Sequence, residues 1–135
     1  MFRFALPLAL AAVGCAPGGG TGQIPVADSQ ARLDAALAGL SPGKPQRCIN
    51  SNRVTQTRGF RGSILFVEGD NRKYLSQVGS GCNGLARGDV LVTRPITPGQ
   101  YCDGDFVQTR AQTGGQMTGA CALGAFTPYA PQGGE

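Results

Sequence analysis

The sequence predicts a mainly β fold: a small antiparallel sheet or partly open barrel of about six short strands, with one short N-terminal helix. Three observations carry that prediction. From residue 48 onward, short runs rich in β-branched and aromatic residues alternate with Gly, Asn, Asp and Pro, the pattern of strands separated by turns. Glycine is abundant, 22 of 135 residues, which suits turns better than a helical bundle. Beyond the N-terminal apolar run, helical spacing of apolar residues stands out at Leu33, Ala36, Leu37 and Leu40, at i, i+3, i+4 and i+7.

Residues 1–14 read as a signal peptide. Arg3 is their one charge, Phe4 to Val13 is an apolar run interrupted by Pro7, and Ala12-Val13-Gly14 puts small residues at a cut site. The run is about ten residues, against roughly 20 for a spanning helix. Ala12-Val13-Gly14-Cys15 resembles a bacterial lipobox, with Ala12 where Leu is usual. The resemblance implies diacylglycerol on the Cys15 thiol and cleavage before it. Ala16 rather than Asp after the Cys implies the outer membrane. The same residues also satisfy an ordinary A-x-G signal cut, which would leave Cys15 as a free thiol in a soluble periplasmic protein.

Residues 15–27 form a Gly-rich stretch with nothing to pack and read as a flexible tether. Residues 28–40 read as the helix, capped by Asp28 or Ser29 and stopped by Gly39 and Ser41-Pro42-Gly43. The β domain spans 44–128. Ile49 to Thr57 is mixed but carries β-branched residues. Ser63 to Val67 is apolar on both faces and is expected to be central. Glu68-Gly69-Asp70-Asn71 supplies a turn and Lys73 to Val78 returns, the best hairpin in the chain. Gly79 to Leu85 is a loop anchored by Cys82. Asp89 to Thr93 and Asp105 to Thr109 are further strands, and Met117 to Phe126 reads as one closing strand. Residues 129–135 read as a disordered tail.

Cys48, Cys82, Cys102 and Cys121 remain after Cys15. An even number in a small exported domain predicts a disulfide framework. Their spacings of 34, 20 and 19 lack the close pairs of a zinc site, so no metal or other cofactor is expected. Three connectivities are open. Cys48–Cys121 with Cys82–Cys102 inside it is preferred, because it ties the ends of the domain together.

The formal net charge is +4, too little for nucleic-acid binding. Its distribution says more: Lys44, Arg47, Arg53, Arg58 and Arg61 occupy a span with no acid between Asp34 and Glu68. Such a span is ordinarily a solvated face. The functional alternative is an anion-binding patch for envelope lipid or glycan. Val54 to Arg58, Val90 to Arg94 and Phe106 to Arg110 all end in Thr-Arg, and a sharper idea gathers Arg58, Arg94 and Arg110 on one rim.

The chain has no His, which removes the commonest general base. A carboxylate pair for hydrolysis would have to come from Glu68, Asp70, Asp89, Asp103 and Asp105, several of them in turn-like contexts. Asp103-Gly104-Asp105 with Asp89 offers oxygens to calcium but reads first as a turn.

Arg47-Cys48-Ile49, Ser63-Ile64-Leu65-Phe66 with Tyr74-Leu75, Gly81-Cys82-Asn83-Gly84-Leu85, Tyr101-Cys102-Asp103-Gly104-Asp105 and Cys121 to Pro128 resemble, in that order, an uncharacterised family of small exported proteobacterial proteins, a domain of unknown function. The resemblance covers about 80 residues and implies an envelope location and paired cysteines. It brings no activity and no catalytic residues.

The expected function is therefore a non-enzymatic envelope lipoprotein with a structural or binding role. Its expected partners are the membrane through the lipid, and an anionic envelope lipid or glycan or another envelope protein. The second reading is a soluble periplasmic module for an anionic ligand, and a hydrolytic enzyme is third.

Overall fold

A computed structural model describes Gly14 and residues 26–132. The expected signal segment up to Val13, Cys15 and nearly all of the tether lie outside the described residues, as do residues 133–135.

Among the described residues the fold is mainly β, with one α-helix, three antiparallel sheets and no closed barrel. Helix α1 spans Val26–Ala36. The strands are β1 (Leu40–Pro42), β2 (Cys48–Asn50), β3 (Gln56–Phe60), β4 (Ser63–Glu68), β5 (Arg72–Gln77), β6 (Val90–Arg94), β7 (Gln100–Cys102), β8 (Phe106–Arg110), β9 (Met117–Ala122) and β10 (Phe126–Pro131). The main sheet has the order β1-β10-β5-β4-β3, β2 pairs with β7, and β6-β8-β9 form the third sheet.

The main sheet is covered on both faces. On one face Phe60, Leu65 and Leu75 bury Leu33 of α1, with Ala36, Leu37 and Tyr129 around them. On the other, Ile64, Phe66, Tyr74, Val78 and Phe126 meet Ile49, Leu85, Val107 and Leu123. That is why Ser63 to Val67 is apolar without alternation. Its strand β4 is interior, as expected, and folds onto β5 with Glu68 opposite Arg72. Phe66 sits at the junction of the sheets, its ring centroid 5.5 Å from those of both Tyr101 and Phe126.

The helix is shifted from its expected 28–40. Helical bonding continues one residue further, from the Leu37 amide to the Leu33 carbonyl, Gly39 takes a φ of 78°, and Leu40 enters β1 opposite Pro131. Ser29 is no cap; it is buried inside α1, where its Oγ accepts from the Arg61 amide at 2.8 Å. The run from Met117 to Phe126 is two strands, not one. The Ser76 hydroxyl donates to the Gly124 carbonyl at 2.9 Å and accepts from its amide at 3.0 Å. This fixes the corner that sends β10 into the main sheet. The tail does not begin at 129: Tyr129, Ala130 and Pro131 pair with β1.

The disulfides are Cys48–Cys102 and Cys82–Cys121, which corrects the expected Cys48–Cys121 and Cys82–Cys102. Register explains both. Cys48 and Cys102 stand directly opposite in the β2–β7 ribbon, with Cα atoms 4.1 Å apart. The Gly81 carbonyl accepts from the Ala120 amide at 3.0 Å, which brings Cys82 beside Cys121. Tying the chain ends falls instead to β1 against β10, helped by Gly43 N–H to the Pro128 carbonyl at 2.7 Å.

Candidate functional site

The five basic residues of the Lys44–Arg61 span do not converge. Lys44 and Arg47 are exposed before β2. Arg53 lies in a single 3-10 turn and pairs with Glu68 at 3.6 Å. The acid missing from the span is supplied across the hairpin. Arg61 sits in the β3–β4 turn and lines one groove with Arg87, whereas Arg58 faces another. The idea of Arg58, Arg94 and Arg110 on one rim is also overturned. Arg94 pairs with Phe106 and Arg110 with Val90, so they occupy opposite ends of the third sheet, and Arg58 belongs to the main sheet.

What the fold brings together is Arg58 and Arg32. Pairing with Leu65 puts Arg58 on the helix-facing side of β3. Its guanidinium carbon lies 5.5 Å from the centroid of the buried Phe60 ring, and that of Arg32 lies 5.9 Å away. The electron-rich ring face stabilises both cations. Arg32 also donates to the Ala86 carbonyl at 3.3 Å. The two arginines line a groove of ≈470 Å³, together with Thr57, Leu91, Thr93 and Tyr101. The groove runs along the open edges of β3 and β6, neither of which has a strand on its outer side among the described residues. Gly59 lets the wall close: a Cβ there would meet the Leu85 carbonyl oxygen at 2.6 Å.

The acid on that wall, Asp89, is already engaged. Its Oδ2 accepts from Arg87 Nη2 at 3.1 Å and from Thr118 Oγ1 at 2.8 Å. Burial raises its pKa, but the hydrogen bonds from Thr118 and Arg87 and the Arg87 charge outweigh burial and hold it below the ordinary carboxylate value. Asp105 is buried, and its oxygens accept from the amides of Cys102 (2.8 Å) and Ile96 (3.3 Å). It works as the turn's internal cap, so the Asp103-Gly104-Asp105 oxygens do not converge for a cation. Among the described residues no three His, Cys, Asp or Glu side chains gather as a metal-binding group.

Sequence reasoning missed Arg32 and Arg87. Arg32 lies on the polar side of a helix whose docking depends on non-local contacts with β3. Compared with family models, curated proteins and solved structures, the chain matches none.

Proposed function

We propose that this chain is a non-enzymatic cell-envelope lipoprotein: exported, lipid-anchored through Cys15, facing the periplasm from the outer membrane, and serving a structural or binding role. The observation that carries the reading is a pair of disulfides in a small β domain behind a signal-like N-terminus. Disulfides persist in oxidising, extracytoplasmic compartments. Among the described residues no helix is long and apolar enough to cross a membrane. The family resemblance to small exported proteins of unknown function points the same way. A non-catalytic role is supported by the chemistry: the chain lacks His, its four downstream cysteines are paired, and Asp89 and Asp105 are engaged within the fold.

The test is the intact mass of the protein from its native host. A mass beginning at Cys15 plus a diacylglyceryl group is expected. An unmodified mass beginning at or beyond Cys15 would overturn the anchor.

The Arg32–Arg58 groove favours a second reading, a soluble periplasmic module for an anionic envelope ligand. Binding of lipopolysaccharide that Arg32→Ala/Arg58→Ala abolishes, in an unlipidated protein, would select it. Nucleic acid is not a proposed partner for either reading.

A further inference from the structure

The third sheet has an inner and an outer face, and the register assigns every residue to one of them. Val107 and Thr109 of β8 are fully buried, so Phe106, Gln108 and Arg110 point the other way. Their partners share that outer face: Val90, Val92 and Arg94 on β6, and Met117, Ala120 and Ala122 on β9. A bulge at Thr118 makes the β9 assignment possible. The register skips Thr118, whose hydroxyl turns inward to Thr109 and Asp89, and this leaves Met117 facing out.

Among the described residues the exposed large hydrophobics are Val90 (50%), Ile96 (82%), Phe106 (44%) and Met117 (59%). Three of them are on this face, and Ile96 lies two residues beyond the end of β6. Three strands about 4.8 Å apart and about 17 Å long make a plate of a few hundred Å², comparable to the largest exposed patch of a typical monomer, which is often functional. No acid stands at its nine positions, and two arginines do. Arg94 is exposed, and Arg110 is held in place by donating to the Gln108 side-chain oxygen and the Gly115 carbonyl, each at 3.1 Å.

We infer that this face docks on the surface of an anionic phospholipid bilayer. Phe106, Met117, Val90 and Ile96 enter the headgroup boundary, and Arg94 and Arg110 bind phosphates, which the planar guanidinium suits. The charge decides between occupants. A second copy of the chain would set arginines against a face with no acid to receive them, whereas an anionic bilayer complements both. The inference rests on the envelope reading for the bilayer's being within reach. The helix, the main sheet and the third sheet stack in layers about 10 Å apart. Residues 15–25 can extend up to about 36 Å, enough to run from a bilayer under the third sheet to the start of α1. A lipid-anchored chain would thus have a second attachment, the combination that makes membrane binding stable.

The test uses the chain from residue 15 with Cys15→Ser, which retains every described element and carries no acyl chain. It is sedimented with vesicles of phosphatidylcholine, with and without phosphatidylglycerol. Binding only to the anionic vesicles is expected. Arg94→Gln/Arg110→Gln should weaken it about 25-fold, at about fivefold per arginine near an anionic surface. Phe106→Ser/Met117→Ser should weaken it by about tenfold or more. Lys44→Gln/Arg47→Gln removes the same charge elsewhere and should cost less than about threefold. Three results would overturn the inference: no binding to anionic vesicles, an equal loss in the Lys44/Arg47 control, or a concentration-dependent dimer that Phe106→Ser dissolves. Because the lipid is absent, vesicle failure leaves the anchor untouched, and an unlipidated mass from the host leaves a positive vesicle result standing.

Discussion

Disulfide connectivity offers a test in which geometry and energy are read separately. Each of the four paired cysteines falls on its own tryptic peptide: residues 48–53, 74–87, 88–110 and 111–135, since Arg94 is followed by Pro95 and is not cut. Unreduced digestion should join 48–53 to 88–110 and 74–87 to 111–135. A species joining 48–53 to 111–135 would refute the strand register of β2 with β7. The energetic side follows from loop length. Sequence separations of 54 and 39 correspond to about 4 kcal/mol each in the chain-entropy model. A small domain has only about 5–15 kcal/mol in total. Cys48→Ala/Cys102→Ala should therefore lower the urea midpoint by about 2 M, taking a slope of roughly 2 kcal/mol/M. Losing both bridges should leave the chain largely unfolded. A midpoint shift below about 0.5 M for either pair would refute the argument that these bridges hold the domain together.

Three further outcomes are expected. Phe66→Ala empties the junction of the sheets and should cost about 3–5 kcal/mol in urea unfolding; a cost under about 1 kcal/mol would contradict its central placement. Gly119→Ala would put a Cβ 2.5 Å from the Asn83 amide nitrogen and the Gly81 carbonyl oxygen, so it should destabilise by about 1–3 kcal/mol or more, and an unchanged melting temperature would show that the Cys82 loop is not packed on β9. Asp89 titrates below its unfolded value, so its ionised form contributes stability at neutral pH that is lost as pH falls through the lowered folded pKa. Unfolding measured from neutral pH down into the acid limb should show a smaller acid loss in Asp89→Asn than in wild type, and NMR titration should show the Asp89 pKa raised in Thr118→Val; identical acid limbs would sink the assignment.

Legibility tracked how local the cause was. The β4–β5 hairpin was readable because turn chemistry and two apolar runs lie within a dozen residues of one another. The strand Phe106 to Arg110 was readable for the same reason. β10 was not, because Pro128 and Pro131 are strand breakers by any local rule. Its place between β1 and β5 comes from partners 50 or more residues away. The candidate site divides similarly. Arg58 could be named from its charge run. Arg32 could not, since its value depends on α1 landing against Phe60.

By itself the sequence determined the mainly β class, the short helix ahead of the strands, the four cysteines downstream of Cys15 and the charge that any partner must complement. These are properties of composition and short-range pattern, and no packing is needed to read them. Which cysteines meet, which arginines share a groove and which apolar residues stay on the surface were decided only by tertiary structure. A strand's period tells which residues share a face but not whether that face is covered. Val107 and Phe106 are neighbours of similar character, and only the packing of the third sheet against the main one makes the first core and the second surface.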